Sequence, residues 1–168
     1  AGIMLTCHLM NKRPLAELVL LGPTKEVANL GYSQARGMIE ADPEGYLQKR
    51  FLCRDHVKEI FDRKTKTVLK IKSFDTGVVT GVKPVAILID ELHEIAKNHS
   101  AADVIAQLRG GMIANPEAFM IFITTQSTDP PAGVFATELK KARGIRDGRI
   151  KEIPMLPILY EFPEAVIK

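Results

Sequence analysis

The chain has 168 residues, enough for one domain with a sizeable core, and a composition 46% hydrophobic and 26% charged excludes a disordered chain. Its 23 basic residues against 20 acidic ones leave a formal charge of +3, which permits a nucleic-acid partner without arguing for one. No apolar run approaches the roughly 20 residues of a membrane span. Cys7 and Cys53 lack metal-ligand spacing, so both read as reduced core thiols of a cytosolic protein.

Residues 1–10 are apolar but have no basic stretch before them, so they read as the rear of a helix rather than a signal peptide. A chain that opens mid-helix without an initiator Met reads as a fragment. A turn at 11–14 leads into a buried strand at 16–21, stopped by Gly22-Pro23. Thr24 is placed to cap a helix from Lys25 to about Ala41, with Val27, Ala28, Leu30, Ala35, Met38 and Ile39 as its apolar positions. Asp42-Pro43 breaks that helix, and residues 44–52 are expected to form a second, short one. Residues 58–61, a charged turn at 62–66 and the alternating run 68–74 read as an antiparallel section.

Residues 85–89 are five apolar residues in a row, the pattern of a strand buried on both faces. A helix at 101–113 follows, then a second fully buried strand at 119–123 and a helix from Ala132 to Arg143. Pro154 and Pro157 within 150–162, with Pro163 just after, allow only interrupted edge strands. Helices alternating with short apolar strands predict an α/β fold, a mostly parallel sheet flanked by helices.

Ligand sites in such sheets lie beyond the carboxyl ends of the strands. Two strand ends carry unusual polar residues. The run from Val85 to Ile89 stops at Asp90-Glu91, which is the form of a Walker B element. There the first acid holds the Mg²⁺ of a nucleotide and the second orients the water that attacks the γ-phosphate. The bland alternative is a strand that ends in solvated acids. The second end reads Thr124-Thr125-Gln126-Ser127, whose hydroxyls could sense the γ-phosphate or simply bond the local backbone. Gly22-Pro23-Thr24-Lys25 opens a helix beside a Lys, either a phosphate site or an ordinary capped start.

Other patterns fail. His93-Glu94-Ile95-Ala96-Lys97 begins like a zinc-protease motif, but position 97 is Lys and the next His is His99. No Gly-x-x-x-x-Gly-Lys-Ser/Thr occurs in these residues, although a P-loop ATPase needs that loop to cradle its phosphates. Residues 1–10 fit the rear of the helix that follows such a loop, which would then lie upstream.

Thr24-Lys25-Glu26-Val27-Ala28, the segment from Gly81 through Asp90-Glu91-Leu92-His93-Glu94, and Ile123-Thr124-Thr125 resemble the terminase large subunits of tailed phages, in the HK97-like branch. The resemblance covers about residues 1–150 and implies a P-loop NTPase of the ASCE (RecA-like) type, truncated at its N-terminus. It implies a partial motor domain over 1–150 and an exit segment over 151–168, toward a C-terminal RNase H-like nuclease domain. The implied activity is ATP hydrolysis that drives double-stranded DNA into a procapsid, with ATP and Mg²⁺ as cofactors. The implied partners are the portal protein, a small terminase subunit and further copies in a ring. The implied place is the host cytoplasm, with no membrane.

Carried onto this sequence, Asp90 is the Mg²⁺-associated acid, Glu91 the catalytic carboxylate, and Thr124 and Thr125 the coupling motif. Without a phosphate-binding loop, the chain by itself is expected to be inactive. An arginine finger falls at Thr80, beside Gly81, where no Arg stands; Lys83 and Arg109 are alternatives, and the finger is unassigned. Positive charge in the first half gathers at Arg13, Lys49, Arg50, Arg54, Lys64, Lys66, Lys70 and Lys72, either a phosphate-tracking groove or a solvated face, so the DNA-binding residues are unassigned. Three other readings stay open: another P-loop translocase or helicase-like ATPase, a non-enzymatic α/β interaction domain, and a nuclease using Asp90 and Glu91 with Asp75 or Asp129.

Overall fold

The computed structural model describes residues 1–74 and 83–162. Its elements in chain order are α1 (Gly2–Met10), β1 (Glu17–Gly22), α2 (Lys25–Glu40), α3 (Tyr46–Arg50), β2 (Phe51–Arg54) and β3 (Glu59–Asp62). They continue with β4 (Val68–Ser73), β5 (Ala86–Ile89), α4 (Leu92–Ile95), α5 (Ala101–Met112), β6 (Phe119–Phe122) and α6 (Gly133–Arg146). Among the described residues the six strands form one sheet in the order β2-β3-β4-β1-β5-β6. The pairs β4·β1, β1·β5 and β5·β6 are parallel, whereas β2·β3 and β3·β4 are antiparallel. The expected α/β architecture holds, with an antiparallel arm on one edge.

The period-two alternation of the strands sorts the core into two layers. Leu18 and Leu20 of β1 and Ala86 and Leu88 of β5 face the layer that also holds Met4, Leu5, Tyr32 and Ile39 of α1 and α2. Val19 and Leu21, with Ile87 and Ile89, face the opposite layer of α4, α5 and α6. Both faces of β1 and β5 are therefore covered, and the one charged residue in either strand, Glu17, is at the start of β1, paired with Lys70.

Four expectations are corrected. Residues 51–52 belong to strand β2, not to the end of the preceding helix, because Phe51 and Leu52 pair with Asp62 and Phe61 of β3. The strand at 119–123 is not fully buried: β6 is the sheet edge, with Phe119 42% and Ile123 39% exposed. Leu30 and Met38 point outward from α2, and Tyr32 takes a core position in their place. Residues 150–162 form no strand, only an irregular run tied back through Glu161 to Arg143 and Arg146 of α6. Thr24 caps α2 as expected, its Oγ1 accepting the Val27 N–H at 3.3 Å.

The hairpin β3-β4 is locked to α1 and α3 by a buried polar network. Asp62 is 0% exposed, and its Oδ2 accepts from Arg50 Nε at 3.0 Å and Nη2 at 2.7 Å. Its Oδ1 accepts the Lys64 and Thr65 N–H groups. Arg50 also donates to the Leu9 carbonyl and the Tyr46 hydroxyl. Next to it, buried His8 places Nε2 at 2.8 Å from Thr67 Oγ1, while its Nδ1 has no partner among the described residues. A proton on Nε2 leaves Nδ1 a bare acceptor, the cheaper form to bury without a partner.

Cys7 and Cys53 are free, half-buried thiols whose pKa values burial pushes up. No helix among the described residues is long and apolar enough to cross a membrane.

Candidate functional site

The parallel strands set their carboxyl ends side by side. In register, Leu21 pairs Ile89 and Ile89 pairs Phe122, so the residues just beyond β1, β5 and β6 come to one edge. The ladder continues one step past the strands: Asp90 N–H donates to the Leu21 carbonyl and Ile123 N–H to the Ile89 carbonyl, both at 2.9 Å. Asp90 and Glu91 therefore leave the sheet directly beside Thr124 and Thr125, although 33 positions separate Glu91 from Thr124.

Asp90 is half-buried, and its Oδ1 accepts the Glu91 N–H at 3.1 Å. Among the described residues its other oxygen has no hydrogen-bond partner. Glu91 stands in the left-handed region at φ 52° and ψ 54°, an uncommon conformation for a residue with a side chain. That turn aims its carboxylate back over β6, where Oε2 lies 3.4 Å from Thr125 Oγ1. The start of α4 is fixed to the same place, since Leu92 N–H donates to the Ile123 carbonyl at 3.2 Å.

The four residues singled out at the strand ends are thus brought together. A fifth was missed. His93, half-buried, donates its backbone N–H to Thr124 Oγ1 at 3.2 Å, and its ring Nδ1 lies 2.9 Å from that oxygen. The motif comparison in the sequence tested His93 only as a zinc ligand, and its contact with Thr124 depends on strand register. Beside it, residues of α4 and the 127–132 loop line a cleft of about 180 Å³ that includes Lys97, Asp129 and Phe135.

The site's acids suit a magnesium ion better than a dedicated metal cage. Mg²⁺ takes one or two carboxylates and keeps water or phosphate oxygens for its remaining positions, which a single half-exposed strand-end Asp permits. Among the described residues no three His, Cys, Asp or Glu side chains gather around a possible metal position. Asp75, one partner that the nuclease reading needs, lies outside the described residues, as do Thr80 and Gly81 of the finger position.

Arg109 is committed elsewhere: its Nη2 lies 3.0 Å from Glu138 Oε1, and its guanidinium covers the Phe122 ring at 5.6 Å. Lys83 is exposed. Of the basic residues considered for DNA, Arg50 is held by Asp62, Arg54 by Glu59 at 3.4 Å and Lys70 by Glu17. Lys64 and Lys66 are exposed on the β3-β4 turn, which Leu15 N–H joins through the Thr65 carbonyl. That turn is at the amino end of β1, opposite the Asp90–Glu91 edge.

No protein-family model and no curated protein matches the chain. Among solved structures it is similar to the large terminase of bacteriophage HK97, at 18% identity and a TM-score of 0.70, over 88% of this chain and 31% of that one. It is also similar to the large terminase ATPase domain of Thermus phage P74-26, at 12% identity and a TM-score of 0.51, over 70% of this chain and 51% of that one. The fold is that of a large-terminase ATPase domain. The chain spans about a third of the HK97 protein and half of the Thermus phage domain. The polar residues at the carboxyl ends of β5 and β6 lie within this shared fold.

Proposed function

We propose that this chain is part of the ATP-hydrolysing motor domain of a phage terminase large subunit, which moves double-stranded viral DNA into a procapsid. The observation that carries the reading is the meeting of Asp90-Glu91 with Thr124-Thr125 at adjacent strand ends, with Thr125 Oγ1 against the Glu91 carboxylate. The incidental-acid reading does not require the Glu91 carboxylate to meet the Thr125 hydroxyl.

In this reading Asp90 holds Mg²⁺, and Glu91 orients a water and takes its proton. Mg²⁺ held by Asp90 would supply positive charge to offset the negative charge that develops on the phosphate oxygens. Thr124 and Thr125 pass the change at Glu91 to β6 and so to the DNA-moving parts. The motor region is residues 1–150, and residues 151–168 lead toward a nuclease domain. The full-length protein acts in the host cytoplasm as a ring on the portal, with a small terminase subunit.

The test is Mg²⁺-dependent nucleotide binding by the full-length protein. Asp90→Asn removes a charged ligand and is expected to weaken Mg·ATP binding about tenfold, the equivalent of ~1.4 kcal/mol. Affinity for ATP without Mg²⁺ stays unchanged. Equal Mg·ATP affinity in the two proteins, measured by titration calorimetry, would remove Asp90 from the site.

A further inference from the structure

His93 reaches across the strand ends to Thr124 with both its backbone N–H and its ring, yet the motor reading assigns it nothing. Its ring is packed edge-on against Phe135 of α6, with centroids 6.3 Å apart, so its orientation is fixed by the core rather than by solvent. Nδ1 faces two oxygens, Thr124 Oγ1 at 2.9 Å and Glu91 Oε2 at 3.3 Å. Nε2 faces Glu94 Oε1 at 3.3 Å. The Thr124 hydroxyl has one proton, directed to the Thr125 carbonyl at 3.2 Å, so toward His93 it is an acceptor and Nδ1 carries the hydrogen. The backbone N–H of His93 reaches the same hydroxyl, which makes the contact two-pronged.

We infer that His93 is a positioning residue: its Nδ1–H ties the Glu91 carboxylate to Thr124, so that the acid and the coupling turn hold one geometry. The inference rests on the ATPase reading of Glu91. Glu91 needs such a restraint, because its left-handed backbone would otherwise relax and swing the carboxylate away from β6. A carboxylate misplaced by about 1 Å loses alignment with its water at a cost of roughly 10²-fold in rate. The nucleotide-binding contacts would be untouched, so the loss falls on turnover and not on affinity.

The test uses the full-length protein with Mg·ATP and duplex DNA. His93→Ala is expected to lower kcat about 10²-fold with KM for ATP nearly unchanged. His93→Asn, whose amide N–H can take the place of Nδ1–H, is expected to recover most of that loss. Thermal melts of both variants separate positioning from packing: a purely structural His93 would give Asn and Ala variants equal kcat values that follow their melting temperatures. That pattern, or wild-type kcat in His93→Ala, overturns the inference. Glu91→Gln run alongside distinguishes the two levels. Loss of turnover in Glu91→Gln with wild-type turnover in His93→Ala removes only the role of His93, whereas full turnover in Glu91→Gln removes the ATPase reading and the inference together.

Discussion

Glu91→Gln in the full-length protein is expected to reduce ATP turnover by about 10²- to 10⁴-fold, the range associated with loss of a positioned general base. The amide has the size of the carboxylate, and its oxygen can still accept from Thr125 Oγ1, which lies 3.4 Å away in the native site. What it loses is the ability to take a proton from water. Mg·ATP binding is expected to remain near the wild-type level, because Asp90 and not Glu91 is assigned to the metal. Single-turnover hydrolysis together with nucleotide titration separates the two effects. Hydrolysis within threefold of wild type would mean that Glu91 is not the base.

The largest expected effect on stability is at Asp62 and Arg50. Breaking a buried ion pair by removing one partner costs about 3–5 kcal/mol, since the other charge stays buried and unpaired. Arg50→Met leaves the fully buried Asp62 carboxylate with two backbone N–H groups only, and it also frees the Leu9 carbonyl and the Tyr46 hydroxyl. Urea denaturation of Arg50→Met is therefore expected to show a loss near the top of that range. A loss under about 1 kcal/mol, the size of an exposed pair, would mean that water reaches Asp62.

The same network makes the fold acid-sensitive. Burial pushes His8 down to about 4, with the Asp62 charge and Thr67 only partly offsetting it. Unfolded, His8 titrates near 6.5, so the unfolded chain gains a proton first as pH falls. Its contribution is complete above pH 6.5 and is lost between about 6.5 and 4, by roughly 3 kcal/mol. For Asp62, burial raises the carboxyl, but Arg50 and the Lys64 and Thr65 N–H groups outweigh it and hold it below the usual range. Its contribution is present above an unfolded pKa near 4 and disappears below that. Stability is thus expected to fall in two stages on acidification, and His8→Gln should flatten the upper one. A single stage centred below pH 4 would show that His8 is not buried in its neutral form.

The parts of the fold legible in the sequence were those where one side chain pattern has one solution. Residues 18–21 and 86–89 are apolar on both faces because helices cover both faces, and the sequence shows that directly. Residues 119–122 are just as apolar, but they lie at the edge of the sheet. An apolar run records what a strand can bury, not how many neighbours it has. Phe51 and Leu52 form too short a run, beside Lys49 and Arg50, to separate strand from helix end, and four-residue α4 is too short to show a period. Arg50 looked like one more surface charge, because its partner Asp62 is identified only when the hairpin closes.

The site divides in the same way. Asp90-Glu91 and Thr124-Thr125 were visible as polar breaks at the ends of apolar runs. The contact between them comes from the parallel register of β5 and β6, which also brings His93 to Thr124 across 31 positions. No local spacing encodes that contact. Nor does the sequence order separate the basic turn at Lys64 and Lys66 from the acids; the sheet places them at opposite ends.

The motor assignment is tested most directly by steady-state ATP hydrolysis of the full-length protein, with Mg²⁺ and with or without duplex DNA. The account predicts Mg²⁺-dependent turnover that duplex DNA increases. Absence of hydrolysis under both conditions, in a protein shown to be folded, would contradict it.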